Sequence, residues 1–83
     1  MKGEAGSAEE FLKKTLYLDP GHVAAHLELA ALKERRGDAV RAKSLRQAAL
    51  SILRTMPDDT PVPPYEATAG EIAGWLKNSL PGS

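Results

Sequence analysis

Between Val23 and Met56 two helical patterns meet at the pair Gly37-Asp38. In the first arm Leu27, Leu29, Ala30, Ala31 and Leu32 are apolar over more than half a helix circumference, as in a helix with neighbours on two sides. In the second arm Ala42, Leu45, Ala49, Ile52 and Leu53 recur at helical spacing, forming one stripe against a charged remainder. Arg35-Arg36 supplies cations for a helix C-terminus, Gly37 can take the left-handed conformation just beyond it, and Asp38 can cap the next helix. The pattern predicts a helical hairpin with a very short turn.

The flanks carry their own punctuation. Residues 1–6 are small and polar, and disorder is expected there. Ser7-x-x-Glu10 reads as a capping box, and it opens a helix with an apolar stripe of Ala8, Phe11, Leu12, Thr15 and Leu16, closed by the turn signal Asp19-Pro20-Gly21. After the hairpin, Met56 to Pro64 has four prolines in nine residues, which forbids a helix and favours extended polyproline geometry. Residues 57–67 therefore read as a semi-rigid strap lying over the surface. A second capping box, Thr68-x-x-Glu71, opens a last helix over 68–80, with Ile72, Ala73, Trp75, Leu76 and Leu80 on one side and Pro81-Gly82 ending it. Gly70 and Gly74 weaken that helix, so packing must hold it, and Trp75 is expected to be part of the packing. The fold class is all-α, with about four helices.

Composition narrows the function. A chain of 83 residues buries only about 60% of its unfolded surface and is marginal alone, so partners are expected. Eleven basic and eleven acidic residues cancel, which offers nothing to nucleic acid or to an anionic membrane. No cysteine is present, so there is no disulfide, thiol nucleophile or thiolate metal site. No apolar run approaches the roughly 18 residues that span a bilayer, and the first ten residues lack the apolar core of a signal peptide. A cytoplasmic protein without membrane insertion is the expectation.

The hairpin, thirty-four residues with Gly-Asp at the turn and small residues where the helices cross, resembles a tetratricopeptide repeat (TPR). In that register Leu29-Ala30 stands at the motif's Leu-Gly pair, and Ala42 and Ala49 at the small residues of its second helix. His26 stands where the motif has Trp, Lys33 where it has Tyr and Arg46 where it has an aromatic. The resemblance implies a full repeat over 23–56, preceded by half a repeat over 7–20 and followed by a capping helix. Over about residues 8 to 78 the wording is narrower. Tyr17-Leu18-Asp19-Pro20, Ala25-His26, Gly37-Asp38 and Thr68-Ala69-Gly70 resemble the C-terminal TPR segment of CheR-type chemoreceptor methyltransferases. What this resemblance implies is a non-catalytic interaction module that targets or restrains such an enzyme. S-adenosylmethionine would be held only by a catalytic domain upstream, and this segment itself would bind no cofactor. The alternative is a stand-alone TPR scaffold or self-association domain unrelated to methylation.

No catalytic constellation emerges. His22 and His26 lie four apart, a spacing two imidazoles can use for a metal, but no further ligand accompanies them. A packed His26 and a solvated His22 are expected instead. Asp58, Asp59 and Glu66 sit in the strap without a nucleophile and read as solvated carboxylates. Ser7, Ser44, Ser51 and Thr68 lack a triad context. Lys33 to Arg46 holds six basic and two acidic residues, a stretch that would favour an acidic protein over nucleic acid because no aromatics are interleaved. The resemblance places the concave, partner-binding face on Ala24, Leu27, Glu28, Ala31, Glu34 and Arg35, suited to a helix or an extended apolar segment, from a chemoreceptor or from the protein's own catalytic domain. Phe11, Leu12 and Leu16 are the candidate self-association face, through which the chain would form a homodimer.

Overall fold

A computed structural model of the chain describes residues 2–79. It is all-α: α1 (Lys2–Leu18), α2 (Val23–Arg35), α3 (Ala39–Leu53) and α4 (Ala69–Ser79). Among the described residues the only β pairing is an isolated antiparallel bridge between Pro61 and Thr68. The hairpin with one helix before it and one after it is the arrangement expected for a TPR-like segment.

The α2–α3 turn forms for the reasons its residues suggest. Gly37 has φ of +84°, which side chains with a Cβ resist. Its amide donates to the Glu34 carbonyl at 3.0 Å and that of Asp38 donates to the Lys33 carbonyl at 2.8 Å, the paired bonds of a Schellman closure. Asp38 then caps α3, its Oδ1 accepting from the Arg41 amide at 3.1 Å. At the other end of α2 the cap is His22, whose Nδ1 accepts from the Ala25 amide at 3.1 Å.

Two apolar clusters lie on either side of this hairpin. One joins Leu12 of α1 to Ala25, Leu29 and Leu32 of α2, with Leu16 and Leu45 at its edge. The other gathers Val23, Ala49, Leu50, Leu53, Val62, Ala69, Ile72 and Leu76, binding α2, α3, the strap and α4 into one unit. Ala30, Ala42 and Ala49 are buried to 0%, 1% and 0% exposure, so the two hairpin helices approach closely wherever a larger side chain would hold them apart.

Several expectations need correction. Helix α1 begins at Lys2, so Ser7 lies inside it and the Ser7–Glu10 pair caps no helix end. Residues 2–6 are helical rather than disordered: they contain no proline, and a glycine in a helix costs only about 1 kcal/mol. The end of the last helix at Leu80, and Pro81-Gly82 after it, lie outside the described residues. The strap is not uniformly extended. It makes two hydrogen-bonded turns, Thr60 to the Pro57 carbonyl and Tyr65 to the Val62 carbonyl, the second across a cis Pro63–Pro64 bond.

Two glycines should respond oppositely to the same change. Gly37→Ala places a Cβ in left-handed backbone and should cost about 1 kcal/mol, whereas Gly74→Ala removes a helix-interior glycine whose Cβ would meet nothing within 4 Å and should gain up to about 1 kcal/mol. In thermal unfolding each is expected to move Tm by about 4–8 °C, downward for Gly37→Ala and upward for Gly74→Ala. Shifts of the same sign would contradict the turn geometry.

Candidate partner-binding surfaces

The face assigned to α2 is divided by the strap. Ala24 is buried, and Leu27 is half-buried against the larger cluster, as is Tyr65 from the strap. Burial pushes the Tyr65 phenol up, and the nearby Glu28 carboxylate adds to the effect. Helix α4 lies along α3 rather than α2, and Val62 and Tyr65 of the strap join the same apolar unit. Glu28, Ala31, Glu34 and Arg35 stay exposed. Glu34 is already engaged: Arg46 grips it with two bonds of 2.9 and 3.2 Å, which holds the Glu34 carboxyl below its ordinary range and raises Arg46. Arg46 therefore has a structural role. The open part of this face is short, running from Glu28 to Arg35.

On α1 the expected stripe is resolved into two. Leu12 is buried and Leu16 half-buried against α2, so neither forms an open association face. Phe11 is 69% exposed, and Leu18 72%, with Ala8 exposed on the same side of the helix. The rotation follows from Glu9, which the apolar pattern passed over. Glu9 is 8% exposed and faces α2, where Lys33 Nζ donates to its Oε2 at 2.8 Å and Arg36 Nη1 donates to its Oε1. Lys13, one turn on, completes the group at 3.1 Å. The hydrogen bonds from Lys33 and Lys13, with the Arg36 charge beside them, hold the Glu9 carboxyl down at about 2 against the desolvation that opposes it. Lys33 thus reaches α1 through an ion pair.

The two histidines and Thr68 have structural roles, and the strap carboxylates do not. His26 is buried with Nδ1 3.0 Å from the His22 carbonyl, and His22 is the α2 cap rather than a solvated side chain. Among the described residues no group of three or more His, Cys, Asp or Glu is placed to hold a metal ion. Asp58, Asp59 and Glu66 are exposed. The second capping box forms as expected, Thr68 N donating to Glu71 Oε1 at 2.9 Å and Glu71 N to Thr68 Oγ1 at 3.4 Å. Backbone carbonyls of the strap complete it: Thr60 accepts from Ala69 at 2.8 Å and Asp58 from Gly70 at 3.0 Å. Gly70 has to be small there, because a Cβ would stand 3.0 Å from the Asp58 Cβ. Trp75 corrects another expectation. It is 58% exposed, since Ala69, Ile72 and Leu76 occupy the face of α4 that meets the core.

One hollow, of about 170 Å³ and open to solvent, lies between the start of α2 at His22 and Ala24 and the strap at Pro61 and Pro63. It is smaller than the roughly 300–1,000 Å³ typical of small-molecule sites and could admit a single side chain. Among the described residues no helix is long and apolar enough to cross a membrane.

No protein-family model matches the chain, and no solved structure matches it. A stretch of 47 residues, 57% of the chain, is 45% identical to a "Probable biofilm formation methyltransferase WspC" of Pseudomonas aeruginosa. That stretch covers 11% of the relative, so the similarity concerns about a tenth of a much longer protein.

The Glu9 cluster implies a definite pH response. A carboxyl held at about 2 when folded and near 4.5 when unfolded adds stability above the higher value, and loses it as pH falls through the lower. Denaturant melts of wild type and Glu9→Gln should therefore differ most above pH 5 and converge towards pH 2. A constant difference across that window would remove the ion cluster from the account of how α1 is held.

Proposed function

We propose that the chain is a non-catalytic protein-interaction segment of TPR type that serves a chemoreceptor-class methyltransferase of the CheR kind, targeting or restraining it. The observation that carries this reading is the 45% identity over 47 residues to a protein named as a methyltransferase, confined to about a tenth of that protein. The helical hairpin, the strap and the capping helix support it because they build surfaces rather than a reaction site. His22 and Thr68 are spent on caps and His26 on the core, while Asp58, Asp59 and Glu66 stand exposed on the surface.

In this reading the partner engages the exposed part of the α2 face, Glu28, Ala31 and Arg35, as a helix or an extended apolar segment. The partner is a receptor's cytoplasmic domain or the enzyme's own catalytic domain. A second reading, self-association without methylation, is favoured by the open Phe11 and Leu18 side of α1. S-adenosylmethionine belongs to a catalytic domain elsewhere.

Calorimetric titration separates these possibilities. The chain should bind a chemoreceptor cytoplasmic domain or a CheR-type catalytic domain saturably. The exposed substitutions Ala31→Arg and Arg35→Glu should weaken that binding tenfold or more, a loss of about 1.4 kcal/mol. S-adenosylmethionine should give no binding heat. Absence of binding to both proteins, or saturable binding of the nucleoside, would sink the proposal.

A further inference from the structure

The charges of this chain sum to zero but are separated along it. Residues 39–54 carry Arg41, Lys43, Arg46 and Arg54 and no acidic residue, while residues 55–76 carry Asp58, Asp59, Glu66 and Glu71 and no basic residue. The separation survives folding. Arg46 is turned to Glu34, and Arg41 lies 3.8 Å from Asp38. Lys43 and Arg54 are exposed and share the outer side of α3 with Val40, Ser44 and Gln47, opposite the buried Ala42, Ala49 and Leu53. All four carboxylates of the strap and the α4 start are exposed too. Among the described residues no ion pair joins the α3 cations to these carboxylates.

We propose that the outer face of α3 docks against the acidic segment 58–71 of a second copy of the same chain. Complementary charge is the argument. Each copy carries one uncompensated basic helix face and one uncompensated acidic strap, so each is the fitting occupant of the other. A two-fold arrangement lets both surfaces of both copies pair at once and closes the assembly at two. Val40, 81% exposed at the start of the same face, adds an apolar contact. Lys43 and Arg54 stand about 16 Å apart along the helix, so the attraction is spread over three turns and does not rest on one pair.

The same physics bounds the strength. Exposed ion pairs contribute little individually and are screened by salt, so the dimer is weak and its affinity falls as ionic strength rises. This surface lies on neither the α2 face nor the Phe11 side of α1, and the inference does not rest on the proposed function.

Sedimentation equilibrium of the whole chain tests it. Association should be seen at low salt, where charges act over about 30 Å, and should weaken at least tenfold at about 1 M salt, where the range is about 3 Å. Lys43→Glu with Arg54→Glu should be monomeric, and so should Asp59→Lys with Glu66→Lys, while an equal mixture of the two variants should form a heterodimer. Lys14→Glu with Lys77→Glu gives the same net charge as the first pair on other exposed positions and should leave the association intact. Circular dichroism should show every variant folded. A wild type that stays monomeric at low salt overturns the proposal. So does association indifferent to salt, control reversals that weaken it equally, or association that Phe11→Asp alone abolishes.

Discussion

The close approach of α2 and α3 is the constraint on which the remainder depends. Ala30, Ala42 and Ala49 are all but fully buried, and none of them has a side chain large enough to keep the helices apart. Replacing any of them by a larger residue would have to separate the two backbones, since packed interiors give way at a cost of about 1–3 kcal/mol. On one side of this seam α2 offers Ala25, Leu29 and Leu32 to α1; on the other Val23 meets Leu50 and Leu53 of α3 together with the strap and α4. Neither cluster has a second scaffold. A shift of one hairpin helix would open both.

Polar contacts decide how the outer helices sit on that scaffold. Glu9, nearly buried, satisfies its carboxylate with Lys33, Arg36 and Lys13. A buried ion group of this kind is weak evidence of net stability, because desolvation offsets much of the attraction. Its geometric consequence is firmer. With Glu9 directed at α2, Leu12 and Leu16 must follow it inward, and Phe11 and Leu18 are left on the open side. The side of α1 left open to solvent is thus chosen by an electrostatic contact on its other side.

The strap does comparable work at the other end. Its carbonyls at Thr60 and Asp58 accept from Ala69 and Gly70, and Thr68 takes the Glu71 amide, so the first turn of α4 has its donors satisfied before the helix makes its own bonds. Val62 joins the core and Tyr65 packs on it beside Leu27. A helix weakened by two glycines is held because the segment before it is folded onto the same core. On α2, Ala24 is buried and Leu27 half-buried, and the exposed positions begin at Glu28.

Local chemistry was legible without coordinates. Gly37, Asp38, the Thr68–Glu71 box and the hairpin stripes each depend on residues within about three turns of each other, and in each case near-neighbour chemistry had one favourable solution. Contacts between residues far apart along the chain leave no such local mark. Glu9 meets Lys33 and Arg36 from 24 and 27 residues away, and an apolar pattern has no means of announcing that a carboxylate will turn inward. Ser7 has the letters of a cap, but a cap acts only where a helix begins, and the helix begins at Lys2. His22, expected to be solvated, caps α2 through its Nδ1, which accepts from the Ala25 amide. Trp75 is expected to pack because the helix is weakened by glycines, yet Ala69, Ile72 and Leu76 already fill the facing surface. The sequence by itself determined the presence and order of the four helices, the α2–α3 turn and the class of fold, since those follow from spacing and local bonds. Which side of α1 is open, which α2 residues stay exposed and where Trp75 stands were decided by the tertiary structure, because each depends on which distant groups compete for the same neighbour.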